Sequence, residues 1–461
     1  MLYIIWFSTN TELNMTWLEE ALQSLRENRW TAPLYIVGAG WPDADREAAA
    51  LSLIRALALN RSTKTFILQN AALNAEKRQA ITDTLNRNTS LVSVTFRNLS
   101  DENGQRYSVP AELFQSSTIR SVSLTRCHLS FETCQALGQA IREGDSLTSL
   151  YLNDIEFDPA GRMIFFASMC MSHALKSLTV RDLHWDSTDT RRFLTILASN
   201  KSIESLQIER MAHEEGFARD IAYLVSRNRV LRSLSIREND VHPQALRLIC
   251  EEGLSHNKGI EKLFISHNPI GVEGAQIMME LLKKSSNIKD VCFALTCLGP
   301  EGCRIVAENL PECLNLRRIN LDGNQVDECG EDFLEALQKS YNVVSLFDCL
   351  PKLIMKGLST HLEAWKEVDV LLRGNKGKRR FFQNADEQPD AVVPLVLKSA
   401  TLEPDVMFYF LQNLGRPVHT TDKSLMAVPP VTRSTSISRY AGTIKMTSQK
   451  PRLVQRVSHA A

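Results

Sequence analysis

A single period runs through most of this 461-residue chain. An apolar residue, two residues of any kind, an apolar residue, any residue and an apolar residue form a block that returns every 28 or 29 residues, with a final step of 27. The blocks begin at Leu91, Ile119, Leu147, Leu175, Ile203, Leu231, Ile260, Ile288, Leu316 and Val343, and weaker blocks begin at Leu2, Thr31 and Thr63. These thirteen units replace the three domains that about 150 residues per domain would suggest.

Each unit is predicted to be a short strand, a turn and a helix of two to three turns. The apolar block has the spacing of a strand, and apolar residues at helical spacing follow it, as in residues 274–282 and 302–310. Neither half of a unit can bury its apolar face alone. The units must therefore stack and share one continuous core.

The unit length, the Leu-x-x-Leu-x-Leu block and the helix starts at residues 271–275 (Gly-Val-Glu-Gly-Ala) and 299–303 (Gly-Pro-Glu-Gly-Cys) resemble leucine-rich repeats of the ribonuclease-inhibitor type. The resemblance covers residues 1–350. It implies an α/β fold, a horseshoe-shaped solenoid with a parallel β-sheet on the concave face and helices on the convex face. It implies little about activity, because a fold does not fix a function.

Two further segments follow the repeats. Residues 351–412 contain an amphipathic helical pattern and are predicted to form a helical C-terminal cap, because the last unit of a solenoid needs cover for its core. Residues 413–461 contain eight Lys or Arg, one acidic residue and twelve Ser or Thr, which predicts a disordered basic tail. The zero net charge of the chain thus divides into +7 on the tail and −7 on residues 1–412.

Motifs for catalysis, cofactors and metals are missing from the sequence. The ten cysteines form no C-x-x-C pair, no H-E-x-x-H occurs, and residues 374–378 (Gly-Asn-Lys-Gly-Lys) lack the spacing of a phosphate-binding loop. We therefore predict no catalytic, cofactor-binding or metal-binding residues and no enzymatic activity. The sequence also contains no apolar run of about 20 residues and no pattern of a signal peptide, which predicts a cytoplasmic or nuclear protein without a membrane span.

The candidate binding surface is the concave face of the predicted sheet. Because side chains alternate along a strand, positions four and six of each unit point into the core and positions three, five and seven point outward. Position three is Ser in most units, whereas positions five and seven include aromatic residues and Arg. Aromatic residues and Arg are typical of binding hot spots. The predicted partner-binding residues are Tyr151, Arg181, Arg237 and Phe264.

These observations predict a protein–protein interaction scaffold that binds an unidentified protein on the concave face. Two alternatives stay open. One is a regulator of a small GTPase that resembles the Ran GTPase-activating proteins, which share this repeat type; the basic tail differs from the acidic tail expected of them. The other is the sensor fragment of an immune-type receptor, although no nucleotide-binding region accompanies it. The balanced charge of the chain does not favour a nucleic acid partner.

Overall fold

The repeat period sets the positions of the strands and helices. The computed structural model describes residues 4–6, 15–38, 44–211, 216–347 and 362–376. The strands are β1 Ile4–Trp6, β2 Leu34–Val37, β3 Thr65–Leu73, β4 Ser93–Asp101, β5 Ser121–Thr125, β6 His128–Leu129, β7 Ser149–Asn153, β8 Glu156–Phe157, β9 Ser177–Arg181, β10 Ser205–Glu209, β11 Ser233–Ser235, β12 Lys262–Phe264, β13 Asp290–Cys292 and β14 Arg318–Asn320.

A helix follows most of these strands. The α-helices are α1 Met15–Arg26, α2 Ala44–Leu59, α3 Ala75–Arg87, α4 Glu112–Gln115, α5 Phe131–Glu143, α6 Pro159–Cys170, α7 Ser187–Ala198, α8 Gly216–Arg227, α9 Pro243–Leu248, α10 Gly271–Lys284, α11 Gly299–Asn309, α12 Gly330–Lys339 and α13 Leu362–Lys376. Among the described residues, no helix is both long and apolar enough to span a membrane.

Twelve of the described strands form one parallel sheet whose order follows the chain, from β1 to β14 without β6 and β8. The register between neighbours equals the repeat, so that Ser149 pairs with Ser177 and Ser177 with Ser205. Along each strand, positions four and six are buried, as Leu150 and Leu152 show, while position three is partly exposed. This alternation confirms the predicted α/β architecture, a leucine-rich-repeat-like solenoid with a parallel sheet on one face and helices on the other.

The Gly-x-x-Gly helix starts satisfy two separate steric demands. Gly271 and Gly299 have φ angles of 59° and 62°, which are in the left-handed region where glycine is favoured. At Gly274, a Cβ atom would lie 2.4 Å from the Cβ of Ile270. The first glycine therefore permits the turn into the helix, and the second permits the close packing of the first helical turn.

Two columns of buried asparagines join successive units. Before the strands, the side chain of Asn228 donates to the Leu197 and Asn200 carbonyls of the preceding unit and accepts the N–H groups of Val230 and Leu231. Equivalent positions are occupied by Asn60, Asn88, Asn200 and Asn257. After the strands, the side chains of Asn239, Asn268 and Asn324 likewise bond to backbone groups of the preceding unit.

Several units lack the asparagine expected after the strand, and their turns are satisfied in other ways. Strands β6 and β8 pair in a second, two-stranded parallel sheet, in which the Glu156 N–H donates to the Cys127 carbonyl. The Leu183 N–H meets the sulfur of Met211 at 3.4 Å, and the Met211 N–H donates to Asn239. Buried backbone groups need such partners, so irregular units still continue the stack.

Aromatic side chains fill the core where α6 and α7 pack below the sheet. Phe193 lies at the centre of this cluster, with ring centroids 5.0 Å from Trp185, 5.4 Å from Phe166 and 5.9 Å from Phe165. Trp185 also contacts Phe157, and all five rings are buried. This aromatic cluster joins two successive helices to the turns beside the sheet.

Helix α13 packs against α12 at the C-terminal end of the described repeats. Its Trp365 ring lies 5.7 Å from Phe333 and 5.5 Å from Phe347, and its indole N–H donates to the Asp327 carbonyl. Asn375 donates to the Ser340 and Val343 carbonyls, as the asparagines before the strands do. The helix therefore covers the core of the last repeat. The rest of the predicted cap and residues 413–461 lie outside the described residues.

Candidate functional site

Position eight of most units is a left-handed residue near the C-terminal part of the strand. Its φ lies between 50° and 57° in Asn70, Asn98, Arg126, Asp154, Asp182, Arg210, Glu238, His267 and Leu295. This conformation is unfavourable for residues other than Gly, Asn and Asp. Arg126, Arg210 and Glu238 adopt it nonetheless, which places charged side chains side by side at the C-terminal edge of the sheet.

These residues belong to a set of ion pairs that we call the edge network. It consists of Arg106, Arg126, Asp154, Arg181, Asp182, His184, Glu209, Arg210, Arg237 and Glu238. At its centre, Arg181 contacts the carboxylates of both Glu209 and Glu238, the latter at 2.7 Å. Arg210 Nε reaches the same Glu238 oxygen at 2.9 Å. The centre of the network therefore links charges from three consecutive units.

Asp154 organises the N-terminal part of the edge network. Arg106 donates to its carboxylate at 2.8 Å and to its backbone carbonyl at 2.6 Å. Arg126 Nε and His184 Nε2 lie 3.4 Å and 3.3 Å from the two carboxylate oxygens. Arg106 comes from an irregular loop after β4 that turns back at Gly104 and is therefore outside the repeat period. This loop fixes Asp154 from the side.

Beside the edge network, the sheet face away from the helices carries mainly uncharged polar side chains at positions three and five. Position three consists of Ser93, Ser121, Ser149, Ser177, Ser205 and Ser233, paired in register. Position five consists of Thr95, Ser123, Tyr151, Thr179, Gln207 and Ser235. At about 4.8 Å per strand, these six strands span about 24 Å. We call this surface of six strands the inner face, and on these strands Tyr151 is the one aromatic residue at positions three and five.

The structure brings three of the four predicted binding residues together. Tyr151 pairs with Thr179, so Arg181, two residues further along β9, is its diagonal neighbour on the same face. Arg237 joins Arg181 through Glu209, which lies between the two. Phe264 lies on the same row as Tyr151 but four strands away, at about 19 Å. Phe264 therefore belongs to a different part of the surface.

The electrostatic states of Tyr151 and Arg181 follow from this arrangement. Burial raises the pKa of Tyr151, although Arg181 opposes the shift, so the phenol stays protonated and can both donate and accept a hydrogen bond. Burial disfavours the charge on Arg181, but Glu238 and Glu209 outweigh burial and raise the pKa of the guanidinium. Arg181 is thus a fixed cation that two carboxylates hold in place.

Arg237 is held less tightly than Arg181. Its guanidinium lies 3.5 Å from Glu238 and 4.0 Å from Glu209, and 38% of its side chain is exposed. Within the described part of the chain, its buried Nε has no hydrogen-bond partner. The exposed part of the Arg237 side chain is therefore accessible to a ligand, whereas Arg181 is already bound by two carboxylates.

Sequence inspection overlooked the acidic half of the edge network. Glu209 is buried, and Glu238 and Asp154 are largely shielded, yet none of them stood out as an individual residue. The available signal was the column at position eight, where charged residues of both signs recur at the repeat spacing: Arg126, Asp154, Asp182, Arg210 and Glu238. That column becomes informative once the turn is known to place its members next to each other.

The His, Cys, Asp and Glu side chains of the described residues are dispersed or buried in the core. Within the described ranges, no group of three or more His, Cys, Asp or Glu side chains is arranged to hold a metal ion. Cys127, Cys134 and Cys303 are buried, and burial raises the pKa of the Cys127 and Cys134 thiols to about 12. Such thiols behave as small apolar side chains of the core.

Replacing Glu209 with alanine is expected to destabilise the protein by about 2 kcal/mol, because Arg181 and Arg237 lose the carboxylate between them while Glu238 remains. Chemical denaturation followed by circular dichroism measures the loss. The matched control is Glu204→Ala, which removes an exposed ion pair with Lys176 and should cost less than about 0.5 kcal/mol. Equal losses in both variants would show that Glu209 does not organise the network.

Comparison with known proteins gives a partial structural likeness. No family model and no curated protein matches the chain. Among solved structures, the C-terminal domain of tropomodulin from Caenorhabditis elegans matches 37% of this chain and 98% of its own length, with 14% sequence identity and a TM-score of 0.29. At these values the likeness gives no information about partners or activity.

Proposed function

We propose that this protein is a non-enzymatic interaction scaffold that binds a protein partner on the inner face. The observation that supports this proposal best is the position of Tyr151, a half-buried aromatic ring among two in-register rows of small hydroxyl side chains. Tyr and Ser together are typical of antibody binding surfaces, since Tyr gives a large contact at low entropic cost and Ser gives adaptable hydrogen bonds. Small neighbours also permit the partner backbone to approach closely.

The predicted binding residues take different roles in this proposal. Tyr151 is the anchor of the contact, and Arg237 offers a partly exposed cationic side chain beside it. Arg181 is a positioning residue, because its guanidinium is already bound by Glu209 and Glu238. Phe264 contacts a more distant part of the same partner, four strands from Tyr151.

The finer assignments extend this proposal to the whole chain. The 28–29-residue period and the glycines at 271, 274, 299 and 302 support a repeat of the ribonuclease-inhibitor type over residues 1–350. The packing of Trp365 on Phe333 supports a helical cap within residues 351–412. Residues 413–461 form a basic tail in this proposal.

Replacing Tyr151 with alanine is expected to weaken partner binding about 30-fold, which corresponds to the loss of about 2 kcal/mol at a central aromatic anchor. The partner is captured with the full chain, identified by mass spectrometry and purified, and its dissociation constant is then measured for each variant. Tyr223→Ala is the matched control, because Tyr223 is an exposed tyrosine on helix α8 on the opposite side of the sheet. We expect this control to bind like the native chain.

Two outcomes would contradict the proposal. If Tyr151→Ala binds as tightly as the native chain, the inner face is not the binding surface. If Tyr223→Ala causes the larger loss, the partner binds on the helices. An assay of GTP hydrolysis with Ran distinguishes the alternative of a GTPase regulator, and the scaffold proposal predicts no acceleration.

A further inference from the structure

We propose that a basic groove at the N-terminal edge of the sheet binds an acidic segment of a protein. The groove has a volume of about 350 Å³ and lies where strands β12, β13 and β14 begin. Its lining residues are Glu261, Lys262, Lys289, Asp290, Arg317, Arg318 and Val344. This basic groove is separate from the edge network, which occupies the opposite ends of the strands, and it does not depend on the inner-face proposal.

The cations of the basic groove outnumber its carboxylates, four to two. Lys289 Nζ donates to the Glu261 carboxylate at 2.8 Å, and the Arg318 guanidinium donates two hydrogen bonds of 3.0 and 2.6 Å to the Asp290 carboxylate. Both carboxylates are therefore already neutralised. Among the described residues, Lys262 and Arg317 have no carboxylate within 4.0 Å, and both side chains are exposed. These two cations are available to a ligand.

The basic character continues beyond the groove. Position two of the units, just before the strands, contains Arg120, Lys176, Arg232, Lys289 and Arg317 against Glu204 and Glu261. The surrounding field also acts on the carboxylate inside the groove. The hydrogen bond from Lys289 and its charge lower the pKa of Glu261, and Arg232 and Lys262 add to the effect. The groove thus lies in a region of positive potential.

The spacing of the two free cations fits an extended acidic peptide. Lys262 begins β12 and Arg317 directly precedes β14, so their backbones are two strands, or about 10 Å, apart. In an extended peptide, every second side chain lies on the same side at intervals of about 6.8 Å. Carboxylates at alternate positions therefore come within reach of both flexible side chains.

A nucleic acid fits the basic groove less well. Nucleic acid binding requires a track of cations that neutralises many phosphates. Here two of the four cations are already paired, and the carboxylates of Glu261 and Asp290 are interspersed with them. Interleaved charges instead suit a partner with a few carboxylates at defined positions, which gives electrostatic specificity.

The test measures binding of a short fluorescent peptide of alternating Glu and Gly to the full chain by fluorescence anisotropy. The same peptide with Gln for Glu is the ligand control. In the protein, the double change Lys262→Glu and Arg317→Glu is compared with Lys64→Glu and Arg120→Glu. Lys64 and Arg120 are exposed cations at the N-terminal edge of β3 and β5. All variants keep residues 413–461, so any contribution of the basic tail cancels.

We expect the Glu peptide to bind and the Gln peptide not to bind. The groove variant should lose at least about tenfold in affinity and the control variant less than about twofold. Rising salt should weaken the binding, because the contacts are exposed to solvent. Equal losses in both variants, or no binding to the native chain, would overturn the proposal.

A single-stranded oligonucleotide of similar length is the competing ligand. If its binding depends on Lys262 and Arg317 more strongly than binding of the Glu peptide does, the basic groove is a nucleic acid site and the proposal is wrong. Tyr151→Ala should leave peptide binding unchanged, so the two proposals fail independently. Thermal unfolding of each variant shows that the surface changes leave the fold intact.

Discussion

Replacing Asn228 with alanine is expected to destabilise the protein by about 4 kcal/mol. The Asn228 side chain satisfies three buried backbone groups, the carbonyls of Leu197 and Asn200 and the Leu231 N–H, together with the partly buried N–H of Val230. Each buried group left without a partner costs about 1–3 kcal/mol, and local adjustment recovers part of the total. Urea denaturation followed by circular dichroism measures the loss.

Asn315→Ala provides the control for this prediction. Asn315 also donates to a carbonyl of the preceding unit, that of Ser285, but it is exposed and water can replace it. We expect this substitution to cost less than about 1 kcal/mol. If Asn228→Ala and Asn315→Ala cost the same, the buried asparagine column does not hold the units together.

Replacing Phe193 with alanine is expected to lower the free energy of unfolding by about 3 to 5 kcal/mol, the range for truncation of a buried aromatic side chain. Phe193 is the centre of the aromatic cluster and contacts Trp185, Phe166 and Phe165, so its removal leaves a cavity that rigid rings cannot close. Denaturation gives the stability change, and near-ultraviolet circular dichroism reports the looser packing around Trp185.

Phe131→Ala is the matched control for the aromatic cluster. Phe131 is on the neighbouring helix α5, and 46% of its surface is exposed. Its truncation should change the stability by less than about 1 kcal/mol and leave the near-ultraviolet spectrum unchanged. A small loss of stability in Phe193→Ala together with an unchanged spectrum would contradict the prediction, because it would mean that neighbouring side chains rearrange and fill the cavity.

The repeat period alone predicted most of the fold, for a simple physical reason. Once two apolar positions per unit must face one core, the strand and its register are determined, as Leu150 and Leu152 pair with Leu178 and Val180. The irregular parts did not follow from the period. Arg106 reaches Asp154 across 48 residues from a loop outside the repeat, and no local pattern indicates that contact.

The candidate site was predictable only in part. Columns of the repeat identified Tyr151 and Arg181 as outward-facing residues, and the structure places them side by side. The columns did not show which of the predicted residues lie close together. Each strand between Tyr151 and Phe264 adds about 4.8 Å to their separation. Nor did the columns reveal that Arg181 is bound by Glu209, at position seven of the next unit, and by Glu238, at position eight of the unit after that. The contact with Glu238 depends on the left-handed residue at position eight, which the repeat pattern does not indicate.

The asparagine columns also have a direction. Asn228 and Asn268 bond to groups of the preceding unit, so the units before them leave carbonyls and N–H groups that the following unit satisfies. During synthesis on the ribosome, the emerging chain therefore always ends in one incomplete unit, and about 28 further residues complete it. Because the groups that bond to each other are only about one repeat apart in sequence, the protein can fold progressively as it is made. At each stage only the most recently formed unit lacks these bonds.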